Sequence, residues 1–542
     1  MLRRFIESRK REFITYTVTA GLCVTAMGMN NPNTTSADSA HIYSYKEKAD
    51  SASPRLPKGP VVIGSDLQLF VDDYITERLG GKAQLQLHHP VMKEIVIKHD
   101  APWEGSGSNF HSIFKDGDIY RMYYSAWNLS FKEDGKITDG THPFFLCYAE
   151  SKDGIHWVKP NLGLHEYQGS KDNNIVMVSG KLGPVYPDLG HPAVFLDKNP
   201  DVTPDAKYKA IIRDYSAESG LKGLLAFKSP DGIHWTLMAD HAVITDGAFD
   251  SQNLAFWDES RKEYRAYWRW MSPLRAIRTA SSKDFIHWTN QADLTYVNSP
   301  VEQLYINVIK TYERAPQLLM GFPVRYTEHP WSPSMEALPE LEHRKKRSQT
   351  ETRFGTAISE ALFMVSRDGV KFKRWNEAFL RPGIERKGTW NYGHQYMGWH
   401  VVQTKSDLEG APDELSLYTV ESYWTDNSSE LRRYTLRLDG FVSVNAPMSG
   451  GEVVTRPVTF TGKNLLLNFS TSAAGEIKVE LQDKHGKPIP GFTLNDCEPV
   501  FGDTIERPVY WKKGADVSKL KGKTIRVRFV MKDADLYAFR FK

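Results

Sequence analysis

The chain has 542 residues, which is too long for one ordinary domain, and 40% of them are hydrophobic, enough to build extended cores. The 69 basic and 66 acidic residues nearly balance, which gives no support for nucleic-acid binding. Three scattered cysteines exclude a disulfide framework or a zinc knuckle, and the 12% aromatic content fits an all-β protein.

The first 60 residues differ in composition from the rest. A basic region between Arg3 and Arg11 precedes a largely apolar, uncharged stretch at residues 13–29. This pattern predicts a secretory signal peptide at 1–29, with an uncleaved N-terminal anchor as the alternative. Residues 30–60 are rich in Asn, Thr, Ser, Ala and Pro and predict a linker. We therefore expect a secreted or periplasmic protein with no other membrane association.

A turn motif recurs along the chain. Ser-x-Asp-Gly-x-x-Trp starts at Ser151 and Ser229, variants start at Ser282 and Ser366, and a weak fifth copy starts at Arg437. Asp-Gly favours tight hairpins because glycine adopts positive φ without steric cost. Five copies predict an all-β fold with a five-bladed β-propeller, in which each motif joins the two outer strands of a blade. The alternative is five unrelated hairpins in a large sandwich protein.

Strand pairs at corresponding places predict the first two strands of each blade. They are residues 109–114 and 119–124, 191–196 and 208–213, 251–257 and 264–269, 304–309 and 318–325, and 396–402 and 415–421. We interpret the basic run at 344–347, within an insertion at 327–354, as a solvated surface. Short strands with polar turns follow residue 443. The predicted domains are a propeller catalytic domain at 61–442 and a C-terminal β-sandwich at 443–542. We expect the sandwich to pack against the propeller, with glycan binding as the alternative.

Acidic residues precede the predicted first strands of four blades. They are Glu104, Asp188, Asp250 and Glu302, for blades one to four in order. The loops before the first strands form one mouth of a propeller channel, so these carboxylates are expected to converge. Glycoside hydrolysis needs one protonated and one ionised carboxyl group, and crowding helps to separate their pKa values.

These blades resemble the five-bladed propeller glycoside hydrolases, the superfamily of invertases and arabinanases (glycoside hydrolase families 32 and 43). Residues 249–257 are similar to the Arg-Asp-Pro segment of invertases, and residues 302–305 are similar to their Glu-Cys-Pro segment. The resemblance spans roughly residues 95–440. It implies that Glu302 is the general acid and that Asp250 is the base, the nucleophile or the carboxylate that tunes the acid. Residues 105–109 have no acid where invertases carry their nucleophile, so the nearby Glu104 is a third catalytic candidate.

Other side chains near the predicted mouth could bind substrate. Arg213, Arg269 and Arg325 lie at comparable ends of second strands, where they could hold the carboxylate or sulfate of an acidic sugar or form separate salt bridges. Aromatic rings could stack on a sugar. The remaining candidates for substrate binding are Trp103, His191, Gln252, Asn253, Tyr392 and His394.

His111, His191 and His394 lie on or just before first strands and could in principle bind a metal. Sugar contacts or core packing explain them better, so we predict no metal and no cofactor. The sequence thus predicts a glycosidase that hydrolyses a glycosidic bond in a polysaccharide or oligosaccharide, with carbohydrate as its partner. A glycoside phosphorylase on the same fold and a non-catalytic glycan-binding propeller are the alternatives.

Overall fold

The computed structural model describes residues 58–542 apart from 133, 135, 139–141, 217–219 and 273. The predicted signal peptide and nearly all of the predicted linker lie outside the described residues. Within the described ranges, no helix is long and apolar enough to span a bilayer.

Five antiparallel sheets form a five-bladed β-propeller, as the repeated motif predicted. Strands are given in order from the first, inner strand to the fourth, outer one. Blade one is Asn109–Asp116, Ile119–Ala126, Phe145–Ser151 and Trp157–Val158; blade two is Pro187–Leu196, Tyr208–Ser216, Leu221–Ser229 and Thr236–Leu237; blade three is Leu254–Asp258, Glu263–Ser272, Leu274–Ser282 and Trp288–Asp293; blade four is Lys310–Tyr312, Ala315–Gly321, Ala357–Ser366 and Lys371–Leu380; blade five is Val402–Thr404, Glu414–Glu421, Glu430–Arg437 and Val91–Lys98.

Several short elements complete the propeller. Ile175–Val178 pairs with the third strand of blade one, Val324–Glu328 with the third strand of blade four, and Thr295–Val297 with the fourth strand of blade four. Ser130–Phe131 and Ile137–Thr138 form a small hairpin, and Pro204–Ala206 is a 3₁₀ turn.

The repeated motif forms a compact turn between the third and fourth strands of blades one to four. In the first copy, Asp153 Oδ1 accepts hydrogen bonds of 2.8 Å from the backbone of Ile155 and His156. Ser151 Oγ accepts one of 2.9 Å from the backbone N–H of Gly154, whose φ is +78°. The same serine and aspartate bonds recur in the second, third and fourth copies. Each copy uses its serine and its aspartate in the same hydrogen bonds, which explains why Ser-x-Asp recurs in the sequence.

Blade five is closed by a strand from the other end of the propeller sequence. Val91–Lys98 pairs with Glu430–Arg437 and supplies the fourth strand. Buried Arg433 stabilises this strand pairing, because its Nε lies 2.6 Å from Glu94 Oε1. The prediction that the fifth motif copy joins two outer strands is therefore wrong. There the chain turns at Asp439, with φ of +64°, and leaves the propeller.

A C-terminal β module contains ten strands hydrogen-bonded into one connected set around its own apolar core. Its two longest strands, Leu465–Asp483 and Ile525–Phe541, are paired along most of their length. The other strands are Val61–Gly64, Gln68–Leu69, Thr76–Gly81, Gln84–Leu87, Val442–Ala446, Gly451–Thr455, Val458–Phe460 and Asp503–Pro508, and Ser518–Leu520 is a 3₁₀ turn. A division into two packed sheets stays a prediction.

The N-terminal strands of the described chain differ from the expected domain boundary. Residues 61–87 were predicted as propeller, but Val61 and Ile63 are buried in the core of the C-terminal module. Their strand runs parallel to Val458–Phe460, so alternating apolar side chains find their buried face there. The module contacts the propeller, for example through Arg367 Nε, 2.8 Å from Asp72 Oδ2.

The insertion at 327–354 is helical rather than structureless. It forms α1 (Pro333–Ala337) and α2 (Leu341–Ser348), and α3 (Thr352–Thr356) follows. The interpretation of its basic run as a solvated surface is wrong for two of four residues. Arg344 and Arg347 are buried, three positions apart on one face of α2, and donate hydrogen bonds to the backbone oxygens of Trp390 and Trp424. These hydrogen bonds attach the insertion to the propeller loops.

Candidate active site

The start of the first strands defines what we call the upper mouth of the propeller, and two blades bring acidic residues together there. Asp188 lies at the start of the first strand of blade two, and Asp250 lies just before that of blade three. His191 Nε2 is 3.4 Å from Asp250 Oδ1. Asp188 Oδ1 accepts a hydrogen bond from the backbone of Gly190, where a Cβ would lie only 2.9 Å from that oxygen. A glycine therefore permits this close approach.

Two arginines from second strands hold these carboxylates. Arg213 Nη1 is 3.7 Å from Asp188 Oδ2 and 3.7 Å from Asp250 Oδ1. Arg269 Nη2 is 3.4 Å from Asp250 Oδ2, and its Nε donates to the oxygen of Ala248. The sequence analysis predicted both arginines near the mouth. In the structure they form ion pairs with aspartates of the protein itself.

The two carboxyl groups have different surroundings. Burial is the main cause that raises the pKa of Asp188, and the charge of Asp250 adds to it, whereas Arg213 opposes the shift. Asp250 contacts a second guanidinium, that of Arg269, and its side chain is 16% exposed. One carboxyl group thus favours its protonated form, while the other has cations on two sides.

Glu302 lies in a neighbouring cluster of ion pairs. Its Oε1 is 3.1 Å from Arg325 Nη1 and its Oε2 is 2.7 Å from Arg374 Nη2. Arg325 also binds Glu360, with 2.8 Å between Nε and Oε1. Two guanidinium groups stabilise an ionised carboxylate, whereas a general acid must carry a proton. The role that the resemblance implies for Glu302 stays a prediction.

Tyr305 contacts the first cluster and lies three residues after Glu302 of the second. The guanidinium of Arg269 lies 5.4 Å from the centre of its ring, and that of Arg275 lies 5.5 Å away. Ser251 Oγ donates a hydrogen bond of 2.7 Å to the backbone oxygen of Tyr305. Because Ser251 follows Asp250 directly and Tyr305 follows Glu302 by three residues, both acids belong to the same mouth.

Glu104 and Trp103 lie in a different environment, beside the second strand of blade one. Glu104 is buried; Tyr124 Oη donates to it at 2.5 Å and Lys159 Nζ lies 2.6 Å away. Burial raises its pKa, against the opposing charge of Lys159. Trp103 Nε1 donates to Asn174 Oδ1 at 2.8 Å. No described contact joins this pair to Asp250 or Glu302, so the structure does not bring the three catalytic candidates together.

The side chains of Gln252 and Asn253 donate hydrogen bonds to backbone oxygens rather than facing open space. Gln252 Nε2 donates to the oxygens of Phe110 at 3.0 Å and Pro192 at 3.2 Å, which links the first strands of blades one and two. Asn253 Nδ2 donates to the oxygen of Phe249 at 2.9 Å. Both side chains are buried, and these bonds fix the loop that carries Asp250.

Tyr392 and His394 are buried at the start of blade five. Tyr392 Oη is 3.2 Å from Tyr305 Oη, and its ring centre lies 4.8 Å from that of Trp424. With only 1% of its surface exposed, its ring has no open face for sugar stacking. His394 Nδ1 accepts a hydrogen bond from the backbone of Trp390, and burial lowers the pKa of His394 to about 4.

The three histidines considered as metal ligands have separate partners. His111 Nε2 lies 3.0 Å from His99 Nε2, His191 contacts Asp250, and His394 binds backbone. Among the described residues, no group of three or more His, Cys, Asp or Glu side chains could hold a metal ion.

Three further residues of the upper mouth were given no catalytic or binding role from the sequence. Asp188 gave a usable signal, since it is the acid ahead of blade two. Arg275 is the second residue of the third strand of blade three. Arg374 is the fourth residue of the fourth strand of blade four. No spacing rule based on first and second strands could have found them.

No family model and no curated protein matches the chain. Solved structures give low-identity matches. A structure of BT0996 in an RGII complex has a TM-score of 0.41 at 13% identity, over 65% of this chain and 92% of that one. An N-acetylgalactosamine deacetylase from F. plautii has a TM-score of 0.40 at 11% identity, over 65% and 94%. An endo-arabinase from Bacteroides thetaiotaomicron has a TM-score of 0.36 at 11% identity, over 64% and 98%. Because these values are low, we base function on this chain's own side chains.

Proposed function

We propose that the protein is a glycoside hydrolase whose reaction takes place at the upper mouth. The proposal depends on one observation: Asp188 and Asp250 share Arg213 Nη1, which lies 3.7 Å from an oxygen of each carboxyl group. Glycosidic cleavage needs one carboxyl group that keeps a proton and one that is ionised. The raised pKa of Asp188 suits the first role, and the two guanidinium contacts of Asp250 suit the second.

In this proposal, Asp188 donates a proton to the leaving oxygen, and Asp250 attacks the anomeric carbon or activates a water molecule. The two oxygens that share Arg213 Nη1 are no farther apart than twice their 3.7 Å distance from it. That limit admits the separation of about 5–5.5 Å typical of retaining enzymes and the shorter part of the roughly 6.5–9.5 Å range of inverting ones. Both stereochemical outcomes are compatible with it.

The first experiment is a screen for sugar release from neutral, uronic and sulfated oligosaccharides. Wild-type protein is compared with Asp250→Asn, Asp188→Asn and Glu302→Gln. Release by the wild type, with loss in Asp250→Asn, supports the proposal. Release that survives both aspartate substitutions but fails in Glu302→Gln would return the acid role to Glu302.

A second measurement identifies the acid. Substrates with poor leaving groups depend on proton donation, whereas activated aryl glycosides depend on it much less. Asp188→Asn should therefore slow the natural glycosides far more than the aryl glycosides. Asp250→Asn should slow both classes, because the ionised carboxylate acts on the anomeric carbon or its attacking water in either case.

The same screen distinguishes the alternatives. A glycoside phosphorylase would release sugar only with inorganic phosphate present and would form a sugar phosphate. A glycan-binding propeller would bind an oligosaccharide without release, and binding would persist in all three variants.

A further inference from the structure

The charge balance of the upper mouth is uneven. Arg213 and Arg269 contact aspartates, and Arg325 contacts Glu302 and Glu360, so the arginines predicted to hold an acidic sugar already contact carboxyl groups of the protein. The salt-bridge alternative raised by the sequence therefore describes these three. A binding site for an anion requires a different cation.

Arg275 is that cation. It is only 7% exposed, and in the described part of the chain no carboxylate lies within ion-pair distance of it. Its Nη1 donates to Gln303 Oε1. The guanidinium lies 5.5 Å from the ring centre of Tyr305 and 4.6 Å from that of Tyr326. A buried charge is normally paired with an opposite charge, and amide and ring contacts do not neutralise it.

The surroundings of Arg275 suit an incoming anion. Arg269 also lies against the ring of Tyr305, at 5.4 Å from its centre, and Asp250 is the acid bound to Arg269. The Gln303 amide bonds Arg275 through its oxygen, which leaves its NH₂ group as a second donor beside the guanidinium. A planar guanidinium with a neighbouring amide donor matches the geometry of a carboxylate or sulfate.

We infer that Arg275 and Gln303 form an anion subsite that takes a carboxylate or sulfate group carried by the sugar substrate. This inference deepens the proposed glycoside hydrolase and rests on it only for the sugar to which the anion is attached. Tyr305 separates the subsite from Asp250 by one ring, so the charged sugar lies beside the one that is cleaved or is that sugar itself.

The test measures equilibrium binding by calorimetry for matched oligosaccharides that are neutral, uronic or sulfated. Arg275→Met keeps the volume of the side chain and removes its charge, and Arg275→Lys keeps the charge without the fork. Arg278→Met is the matched control, since Arg278 lies on the same strand but is paired with Asp246 and Asp293.

Wild-type protein should bind one acidic oligosaccharide about 10–100-fold more tightly than its neutral counterpart, as expected for charge-assisted hydrogen bonds. Arg275→Met should abolish this preference, Arg275→Lys should keep part of it, and Arg278→Met should keep all of it. The uronic and sulfated arms identify which anion is taken. A preference that persists in Arg275→Met, or binding of free inorganic phosphate with no preference for an acidic sugar, would overturn the inference.

Product analysis of the same samples separates this inference from the proposed function. If no sugar is released but the acidic preference still depends on Arg275, the hydrolase proposal fails and the subsite stands. If sugar is released with equal affinity for neutral and acidic ligands, the subsite fails and the hydrolase proposal stands.

Discussion

The two ends of the propeller channel carry ionisable groups that burial affects in opposite directions. At the upper mouth, burial raises the pKa of the acid Asp188. At the opposite end, which we call the lower mouth, Lys310 lies on the three-residue first strand of blade four, beside the residues where the first strands of blades two and three end, and burial lowers its pKa to about 7, with Lys198 contributing. In both places burial disfavours the charged form.

The difference lies in how the carboxylates are arranged. Glu259 and Glu313 at the lower mouth both contact Lys198, at 3.8 and 2.9 Å, but their side chains are 45% and 59% exposed. Both carboxylates are therefore in contact with water and share the same cation. Asp188 and Asp250 are mostly buried and differ in their neighbours. Chemistry that needs one acid and one base is therefore expected at the upper mouth alone.

The largest predicted effect tests this contrast directly. Asp250→Asn removes the carboxylate that we propose as nucleophile or base and should reduce kcat by about 10²–10⁴-fold. Glu313→Gln at the lower mouth should leave kcat unchanged. Steady-state kinetics on the best substrate of the screen measures both, and far-UV circular dichroism checks that the variants are folded. Equal losses in the two variants would contradict the contrast.

Arg213→Met should destabilise the fold, because it leaves two mostly buried carboxyl groups without their shared cation. We expect a loss of about 3 kcal/mol in the free energy of unfolding at pH 7, measured by urea denaturation. An acid whose pKa is raised by folding costs stability as pH rises through its unfolded pKa, and the loss of Arg213 enlarges that cost. The destabilisation should therefore shrink as pH is lowered from 7 towards 4 and Asp188 takes up its proton. A loss independent of pH would argue against the electrostatic origin.

Lys310→Met should change the pH profile of stability at the lower mouth. The pKa of Lys310 is about 7 in the folded protein and rises on unfolding, so the unfolded chain binds more protons between these values. Wild-type stability should thus rise from pH 7 towards pH 10 by roughly 3 kcal/mol. Lys310→Met should remove that rise and gain stability below pH 7. Melting temperatures across this range provide the measurement.

The blades were predictable because their signal is local. The turn that begins at Ser151 uses bonds within seven residues, so each copy shows the same letters. Closure of blade five was not predictable, since Val91–Lys98 and Glu430–Arg437 pair across more than 300 residues and no local pattern records that choice. The same holds for residues 61–87, whose alternating apolar side chains fit more than one sheet edge.

The site was predicted in part, for a related reason. Asp188 and Asp250 precede first strands, and this position correctly predicted that they lie at one mouth. The same rule predicted Glu104 beside them, but the loop of Glu104 directs its side chain to Tyr124 and Lys159 instead. Spacing along strands indicates which end of a blade an arginine occupies. It does not indicate whether a carboxylate lies within reach, which is what separates Arg213 from Arg275.

The smallest predicted effects test whether the lower mouth is understood as well as the upper one. The charge of Lys198 lowers the pKa of Lys310, whereas Glu313 raises it. Lys198→Met should therefore move the stability rise to higher pH by roughly half a pH unit, and Glu313→Gln should move it to lower pH by a similar amount. High salt should reduce both shifts, because exposed charges are screened. Shifts of the same sign would mean that these substitutions act through packing, and the electrostatic contrast between the two mouths would then lose its basis at the lower end.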